Sequence, residues 1–321
     1  MEPIEKVAVL HVHTDASDGS GSAGEVIRAA SLESVDILGL NDHWSLDARR
    51  RGFGGWNGGL FVLAGAELDG PGEDNHVLVY GIDELPDSRE TGEQLRFVRD
   101  AGGIAIAAHP CETPGRIPGS RAYRWTGEET RTLSGVEIWN YMSAWKSGIS
   151  PLNLAGRLLL PDLYAENPDP GAVALWRRTG GCAIAGPDAH AFRFGARPAG
   201  ITVFPYRMLF RRLRTHLLLE RELADDPADT ERTILDALRA GSCFVSNRLH
   251  GDARGFRWRR DGRTVEIRLP GAGSVVLDAG GHRSVPGRLE AGEHMLEAPD
   301  DGPLTIGVLR GGRTWICCCA G

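Results

Sequence analysis

No stretch of the sequence is long and apolar enough to cross a lipid bilayer as a helix, which takes about 20 consecutive apolar residues. The first residues, 1–6, also lack the basic start of a secretory signal peptide, and no long apolar core follows them. These absences exclude a protein built from membrane-spanning helices and predict that no membrane partner is involved. A cytoplasmic location is therefore expected.

Positive charge is in short supply. The 36 lysines and arginines are outnumbered by 43 aspartates and glutamates, which gives a formal net charge of −7. A protein that binds long nucleic acids without sequence preference needs a basic face, so an extended nucleic-acid surface is not expected. A single nucleotide held by a few local charges remains compatible with this composition.

A disulfide framework is also missing. The six cysteines are Cys111, Cys182, Cys243 and the adjacent Cys317, Cys318 and Cys319. Because they lack the spacing of paired half-cystines, we expect all six thiols to be reduced. The terminal run has two interpretations, a metal or redox site and a C-terminal strand of small apolar residues, and the strand is favoured.

Short apolar segments alternate with helical patterns as far as about residue 246. The predicted strands are 7–12, 35–40, 60–64, 77–80, 104–108, 135–139, 182–185 and 243–246. Capping-box spacing predicts helix starts at Ser22 and Thr91, and an Asp-Pro pair predicts another at Asp169. Repeated strand–helix–strand units indicate a parallel α/β sheet, and their number favours a distorted β/α barrel over an open sheet.

The pattern changes near residue 250. Helical periodicity disappears, and short alternating segments separated by pairs such as Gly280-Gly281 take its place. We therefore predict two domains. Residues 1–249 would form the barrel, with a helical excursion at about 141–168, and residues 250–321 would form a small antiparallel, β-sandwich-like domain.

Histidines and carboxylates gather at the ends of the predicted strands. The first strand ends with His11 and His13, which are two residues apart and would share one face. The same placement recurs in Asp18, His43, Glu67, His76, His109, Asp188 and His190. Because the carboxyl ends of barrel strands meet at one mouth, where active sites of such folds lie, we expect these nine side chains to converge.

Six histidines and three carboxylates in one partly desolvated pocket indicate bound metal. Imidazole and carboxylate donors without cysteine suit zinc, manganese or iron. Nine donors exceed what one ion needs, so two or three divalent ions are predicted. The other four histidines show no such placement and are given no role: His216, His250, His282 and His294.

In combination, these motifs resemble the PHP family, which is named after polymerase and histidinol phosphatase. The motifs are His11-x-His13, Asp18-Gly19, Asp42-His43, Glu67, His76, His109-Pro110 and Asp188-x-His190. The resemblance extends over roughly residues 7 to 250 and implies a distorted (β/α)7 barrel with a cluster of up to three metal ions. An aspartate at the position of Asp18 is a feature similar to the nucleotide-phosphatase-like branch of the family. The segment 234–246 resembles a subgroup with a trailing β domain, some of whose members hydrolyse carbamates.

The resemblance also implies which residues share an ion. The first ion would be held by His11, His13, Glu67 and Asp188. The second would be held by Glu67, as a bridge, with His76 and His109. The third would be held by Asp18, His43 and His190.

Catalytic and substrate-binding roles follow from the same cluster. Asp188, His190 and His43 are the candidate catalytic residues, and either histidine could protonate a leaving group. Asp42 is expected to orient a ligand without binding an ion. Phosphate often pairs with arginine in addition to metal. The candidate phosphate contacts are Arg116, Arg121 and Arg124 after His109, and Arg193 and Arg197 after His190.

The leading functional prediction is a phosphoesterase acting on a small nucleotide or sugar phosphate. Three divalent ions would leave the mouth positive despite three carboxylate ligands, and this favours an anionic substrate. Two alternatives remain open. One is a carbamate or amide hydrolase that uses the same cluster, and the other is a non-catalytic metal-binding module that docks through its β domain.

Overall fold

Apolar strands with helices between them build the first 250 residues or so, as the alternating pattern predicts. The computed structural model describes residues 2–127, 130–195 and 200–320. The strands of this part are β1 (Ile4–Val12), β2 (Ile37–His43), β3 (Gly55–Asn57), β4 (Leu60–Leu68), β5 (Val77–Tyr80), β6 (Ile104–Ala107), β7 (Gly135–Asn140), β8 (Cys182–Gly186), β9 (Arg193–Phe194), β10 (Ile201–Thr202), β11 (Leu213–Leu219) and β12 (Cys243–Asn247).

Eight α-helices lie in the described ranges, together with short 3₁₀ segments at 130–132, 161–164 and 248–250. The helices are α1 (Ala23–Ser31), α2 (Asp47–Arg50), α3 (Thr91–Asp100), α4 (Tyr141–Lys146), α5 (Leu154–Leu159), α6 (Pro170–Thr179), α7 (Tyr206–Phe210) and α8 (Pro227–Arg239). None of them has the length and apolar character that crossing a bilayer requires. Two of them, α4 and α5, form the predicted helical excursion.

Two of the three predicted helix caps are confirmed. Ser22 and Glu25 form a capping box at the start of α1, and Asp169 accepts hydrogen bonds from the first turn of α6. The capping box predicted at Thr91 is wrong, because the N-cap position of α3 is Glu90, whose side chain makes no capping hydrogen bond. Thr91 is buried in the first turn. The Gln94 amide donates instead to the carbonyls of Asp69 and Arg89.

Residues beyond 250 form seven strands. They are β13 (Arg257–Asp261), β14 (Thr264–Leu269), β15 (Gly273–Ala279), β16 (His282–Leu289), β17 (Gly292–Glu297), β18 (Leu304–Arg310) and β19 (Arg313–Ala320). All pairings among them are antiparallel, and they enclose a core of their own around Phe256, Leu277 and Trp315. The Cys317–Cys319 run lies in β19 and is buried, which agrees with the favoured strand interpretation.

One large sheet runs through most of the chain. Its strand order is β16-β15-β18-β19-β12-β11-β1-β2-β4-β5-β6-β7-β8, and β3 pairs with β4. The predicted parallel pairing is confirmed for β1–β2, β2–β4, β6–β7 and β7–β8. Five pairings of this sheet within residues 1–250 are antiparallel instead: those of β5 with both its neighbours, of β11 with β1 and with β12, and of β3 with β4.

The predicted closed barrel is not confirmed. The ladder ends at β8, and in the described ranges one isolated parallel bridge, between Val12 and Ala189, joins the region after β8 to β1. The Thr215 hydroxyl on β11 accepts a hydrogen bond from the N–H of Ala185 and donates one to its carbonyl. A side chain therefore supplies hydrogen bonds that a closing strand would otherwise make. The domain boundary near 250 stays a prediction, because β12 pairs with β19 and keeps the sheet continuous.

Glu5 on β1 connects three parts of the chain. Its carboxylate lies 2.7 Å from Nδ1 of His216 on β11 and accepts hydrogen bonds from Arg257 and from the N–H of Gly255. Burial opposes ionisation of Glu5, but the hydrogen bonds from His216, Arg257 and Gly255 prevail and lower its pKa from 4.5 to about 2. The ionised carboxylate is therefore stabilised in the folded state.

Replacing Glu5 with glutamine is expected to lower the free energy of unfolding near pH 7 by about 1–3 kcal/mol, because buried donors lose a charged acceptor. The wild-type advantage is present above the unfolded pKa of about 4.5 and disappears as the pH falls towards 2. Denaturant unfolding of both proteins from pH 7 to pH 3 measures it. Glu2→Gln is the control, since Glu2 pairs with Arg257 and Arg268 while largely exposed. A deficit independent of pH would contradict this role.

Candidate metal centre

All nine side chains that the sequence singles out meet at one end of the sheet. His11, His43 and Glu67 lie at the ends of β1, β2 and β4, and His76 immediately precedes β5. His13 and Asp18 follow β1, His109 follows β6, and Asp188 and His190 follow β8. Ligand atoms of all nine fall into four overlapping groups, within each of which the atoms lie no more than 4.8 Å apart.

The backbone is strained at three of these positions. His11, His109 and Asp188 have φ values of +67°, +27° and +53°, a backbone conformation that residues other than glycine rarely adopt. His11 also lies where the pairing of β1 with β2 shifts register between Val9 and Val12. Such strain costs of order 1–3 kcal/mol per residue and is concentrated at functional sites. His11 and His13 therefore converge through a bulge and not through simple strand alternation.

The first group consists of two histidines and two carboxylates. Nε2 of His11 lies 3.3 Å from Oε2 of Glu67 and 3.2 Å from Oδ1 of Asp188. Nε2 of His13 lies 3.2 Å and 3.4 Å from the same two oxygens. Each of the two imidazole nitrogens thus lies within 3.4 Å of both carboxylate oxygens, and donors of these types suit a four-coordinate ion.

Glu67 presents its two oxygens to different histidines. Oε1 lies 2.7 Å from Nδ1 of His76 and 3.1 Å from Nε2 of His109. Oε2 faces His11 and His13 and lies 3.5 Å from Nδ1 of His43. The side chain is buried to about 99 %. A carboxylate whose two oxygens address two sets of donors has the geometry of a bridging ligand.

The third group surrounds Asp18, which is the most exposed of the nine. Its Oδ1 lies 3.2 Å from Nε2 of His190, 3.8 Å from Nε2 of His43 and 3.7 Å from Nδ1 of His13. The two ring nitrogens of His13 therefore face different groups. The predicted third set is brought together, and the structure adds His13 at its edge.

Charges within the cluster compensate for burial. Burial would raise the pKa of Asp188, but the charge of His11 and the close approach of His13 hold it well below its usual range. Burial opposes a charge on His13, yet Asp188 and Glu67 raise its pKa to about 9. The carboxylates of the cluster therefore require positive partners, which can be protonated histidines or metal cations.

Several ring nitrogens in the cluster have no hydrogen-bond partner among the described residues. They are Nδ1 and Nε2 of His13, Nε2 of His76 and Nδ1 of His109, and all are buried. Such unpaired buried polar atoms are uncommon and costly in native proteins. Because imidazole nitrogen and carboxylate oxygen are the donors that zinc, manganese and iron accept, the donor set fits divalent metal ions.

Sequence reasoning missed Glu137, a residue inside β7. Its oxygens lie 3.0 Å and 3.2 Å from Nδ1 of His11, and it accepts hydrogen bonds from the N–H of His109 and from Asn140. It is buried to about 99 %. Glu137 thus orients two proposed ligands from behind. Nothing about a single acidic residue in an apolar strand indicates this, except that a buried carboxylate needs a partner.

Asp42 contacts the loop that follows β1. Its oxygens accept hydrogen bonds from the N–H and the hydroxyl of Thr14 and from the hydroxyl of Ser17. These contacts hold the loop that carries Asp18. Asp42 is not part of any group of candidate ligands in the described residues.

Glu137→Gln is expected to weaken metal binding by about 10–100-fold, because the ring of His11 loses the anionic partner that fixes its tautomer and orientation. Calorimetric titration of the metal-free protein with manganese or zinc measures the change in the dissociation constant. Glu112→Gln is the matched control. Glu112 is another buried carboxylate near His109, but it pairs with Lys146 and the N–H of Tyr123. Equal losses in the two variants would show that Glu137 acts only through general stability.

A cavity of about 860 Å³ opens beside the cluster. Its lining includes seven of the nine candidate ligands and then residues of α4, α5 and the loop after β6. Of the predicted phosphate contacts, Arg116 and Arg124 are exposed, and Arg121 pairs with Glu73. Arg193 lies in β9, and Arg197 falls outside the described residues. The described lining contains Lys146 as its cation and none of these arginines.

Comparisons with known proteins bear on the fold. Neither a family model nor a curated protein matches the sequence. A solved structure from Bacteroides vulgatus, a two-domain protein containing a predicted PHP-like metal-dependent phosphoesterase, matches with a TM-score of 0.50 and 11% identity over 99% of this chain and 95% of its own. The resemblance to the PHP family is thereby confirmed at the level of the fold.

Two further solved structures match with lower scores. One is described as a metal-dependent phosphoesterase from Bifidobacterium adolescentis, with a TM-score of 0.39, 16% identity and coverage of 74% of this chain and 98% of its own. The other is an amidohydrolase from Chromobacterium violaceum, with a TM-score of 0.34, 16% identity and coverage of 57% and 87%. Scores this low add nothing to the fold comparison.

Proposed function

We propose that this protein is a metal-dependent hydrolase of small phosphoesters. The observation that carries the proposal is the convergence of nine histidine and carboxylate side chains, with the two oxygens of Glu67 addressing separate sets of donors. A scaffold or docking module would not need so complete a set. The fold it shares with a PHP-like protein is consistent with this activity.

The proposed ligand sets are those that the family resemblance implies, and they divide the nine residues differently from the four groups in the structure. The first ion takes His11, His13, Glu67 and Asp188. The second takes Glu67, His76 and His109. The third takes Asp18, His43 and His190. Zinc, manganese and iron all suit these donors, and the proposed count is two or three ions per chain.

Bound divalent ions would supply an activated water near neutral pH and charge to steady the attacking and leaving oxygens. The protein's own contribution is orientation and proton transfer. Asp188 faces both His11 and His13 at the centre of the cluster. His190 and His43 lie on the open side, next to the exposed Asp18, where one of them, when it does not hold an ion, would be placed to donate a proton to a leaving oxygen.

Charge favours an anionic substrate. Three divalent ions would bring six positive charges, against the four buried or partly buried carboxylates Asp18, Glu67, Glu137 and Asp188. The mouth would remain positive, although the whole protein carries −7. A phosphoester gains from that field in a pocket of reduced dielectric, and a neutral carbamate gains much less.

One observation favours a second candidate, a carbamate or amide hydrolase with the same ligands. Lys146, the cation of the described cavity lining, pairs with Glu112 at 2.8 Å. Its charge is therefore largely neutralised before a substrate arrives. If the third ion set held nothing, the remaining positive field would be small enough for a neutral ester.

Steady-state kinetics of the metal-loaded protein distinguishes the two candidates. We expect a higher kcat/KM for p-nitrophenyl phosphate than for 1-naphthyl carbamate, and competitive inhibition by inorganic phosphate. Carbamate turnover that millimolar phosphate leaves unchanged, without phosphatase activity under any of the three metals, would overturn the phosphoester assignment. Absence of both activities in a metal-loaded protein would favour the non-catalytic alternative.

The C-terminal β domain carries none of the ligands, and we propose that it acts in stability or in substrate access.

A further inference from the structure

The cavity beside the candidate metal centre is apolar for most of its extent. One wall contains the candidate ligands, among them Asp18, His43 and His190. Other lining residues come from the helical excursion and from the segment at 203–204. The cavity is therefore continuous with the site where an ester group would bind, and this second part of the lining would surround the rest of the substrate.

Leucines of α5 contribute to this second part of the lining. Leu154 and Leu158 are four residues apart, share one face of α5 and both line the cavity. Leu158 is 46% exposed, and its neighbour Leu159, which is 79% exposed, is not part of the lining. An apolar group of a ligand that covers this leucine surface would gain from its removal from water.

Aromatic rings stack on two of the candidate ligands. Tyr123 stacks on His76 with ring centres 4.6 Å apart and an interplanar angle of 28°. Phe192 stacks on His190 at 5.1 Å and 4°, and it is 39% exposed. Both rings line the cavity. The partly exposed ring of Phe192, with a second aromatic ring in the same lining, suits a flat aromatic group.

The cavity offers little to a second anionic group or to a row of hydroxyls. Lys146 is held by Glu112 and lies 4.8 Å above the ring of Tyr123. The remaining charged side chains of the described lining beyond the candidate ligands are acidic: Asp69, Glu73 and Glu112. A bisphosphate would meet repulsion there, and a sugar would leave its hydroxyls against leucine and phenylalanine.

We propose that the substrate is an aryl ester with a single anionic phosphoryl group, whose aromatic part occupies this cavity. The inference rests on the proposed phosphoesterase function and narrows its substrate class. It replaces the sugar phosphate in our sequence-based expectation with an aromatic ester. Tyr123, Phe192, Leu154 and Leu158 are the residues that determine specificity.

Binding of non-hydrolysable phosphonates to the full-length, metal-loaded protein tests the proposal. Calorimetry would compare methylphosphonate, cyclohexylphosphonate, phenylphosphonate and 1-naphthylphosphonate. We expect each to bind at the metal centre and the two aryl compounds to bind about tenfold or more tightly than methylphosphonate. Phenylphosphonate should also bind more tightly than cyclohexylphosphonate, because it can stack.

The double variant Leu154→Ala/Leu158→Ala should weaken binding of naphthylphosphonate about tenfold and leave methylphosphonate unchanged. Leu159→Ala is the matched control on the same helix and should change neither. The corresponding readout in turnover is a higher KM for 1-naphthyl phosphate in the double variant, with kcat nearly unchanged.

The series separates the two claims. If methylphosphonate and inorganic phosphate fail to bind, the phosphoesterase function itself is wrong. If methylphosphonate binds but the aryl compounds gain nothing, the aromatic pocket is wrong while the function stands. Equal binding of cyclohexylphosphonate and phenylphosphonate, or equal effects of the Leu159 and Leu154/Leu158 changes, would also overturn the pocket.

Discussion

Replacing Glu67 with alanine is expected to remove two ions at once and to reduce kcat/KM by about 10³-fold or more. Oε1 of Glu67 faces His76 and His109, and Oε2 faces His11 and His13, so both proposed sets lose a charged ligand. The charge stabilisation from a catalytic ion is several kcal/mol, and each 1.4 kcal/mol is a factor of ten in rate.

Asp18→Ala provides the contrast. Asp18 faces His190 and His43 and is 54% exposed, so its loss should weaken the third set and leave the other two occupied. Elemental analysis of both variants, with circular dichroism to show that they fold, makes the comparison. Equal metal loss in the two variants would contradict the assignment of Glu67 as a bridge.

Stripping the protein with a chelator is expected to abolish hydrolysis and to lower Tm by about 5–15 °C. An ion present at 100 to 1,000 times its dissociation constant stabilises the folded state by about 2.7–4.1 kcal/mol, and one kcal/mol corresponds to roughly 2–4 °C in a protein of this size. Without ions, the buried nitrogens of His13, His76 and His109 would lose their proposed partners. Adding manganese, zinc or iron back should restore both properties.

The matched control for this experiment is the Glu67→Ala variant, whose Tm should respond little to the chelator because it binds few ions. Differential scanning calorimetry, with and without the chelator, measures both proteins. A wild-type Tm that does not change on complete removal of metal would mean that the cluster is held together by its own ion pairs.

The candidate ligands could be predicted from sequence because one local rule places them. Polar residues at or near the ends of buried apolar strands collect at one end of the sheet, and each of the nine occupies such a position, from His11 on β1 to His190 after β8. The rule depends on strand boundaries and not on strand direction. It therefore held at His76, although β5 is antiparallel to both its neighbours.

The remaining features depend on contacts between distant residues. The sequence predicts a closed barrel. It could not show that the hydrogen bonds of Ala185 at the end of the sheet go to the Thr215 side chain, 30 residues away. Glu137 looks like an isolated charge in an apolar strand until His11, 126 residues earlier, is placed beside it. The apolar cavity was missed for the same reason, since its leucines lie in a segment that the sequence predicts only as a helical excursion.

The proposed substrate changed most between sequence and structure. The arginines after His109 and His190 suggested a densely charged phosphate site. In the structure Arg121 pairs with Glu73. The lining of the cavity contains leucine and aromatic side chains, and its Lys146 pairs with Glu112. The phosphoryl group would therefore depend on the ions and the histidines for its charge contacts, while specificity would come from apolar packing.

The central claim is that the nine converging side chains hold metal ions, and elemental analysis of the full-length protein purified without chelator tests it most directly. Plasma mass spectrometry, with protein concentration from amino-acid analysis, should give at least two ions of zinc, manganese or iron per chain. A ratio below one per chain, after reconstitution with each of these metals in turn, would contradict the account.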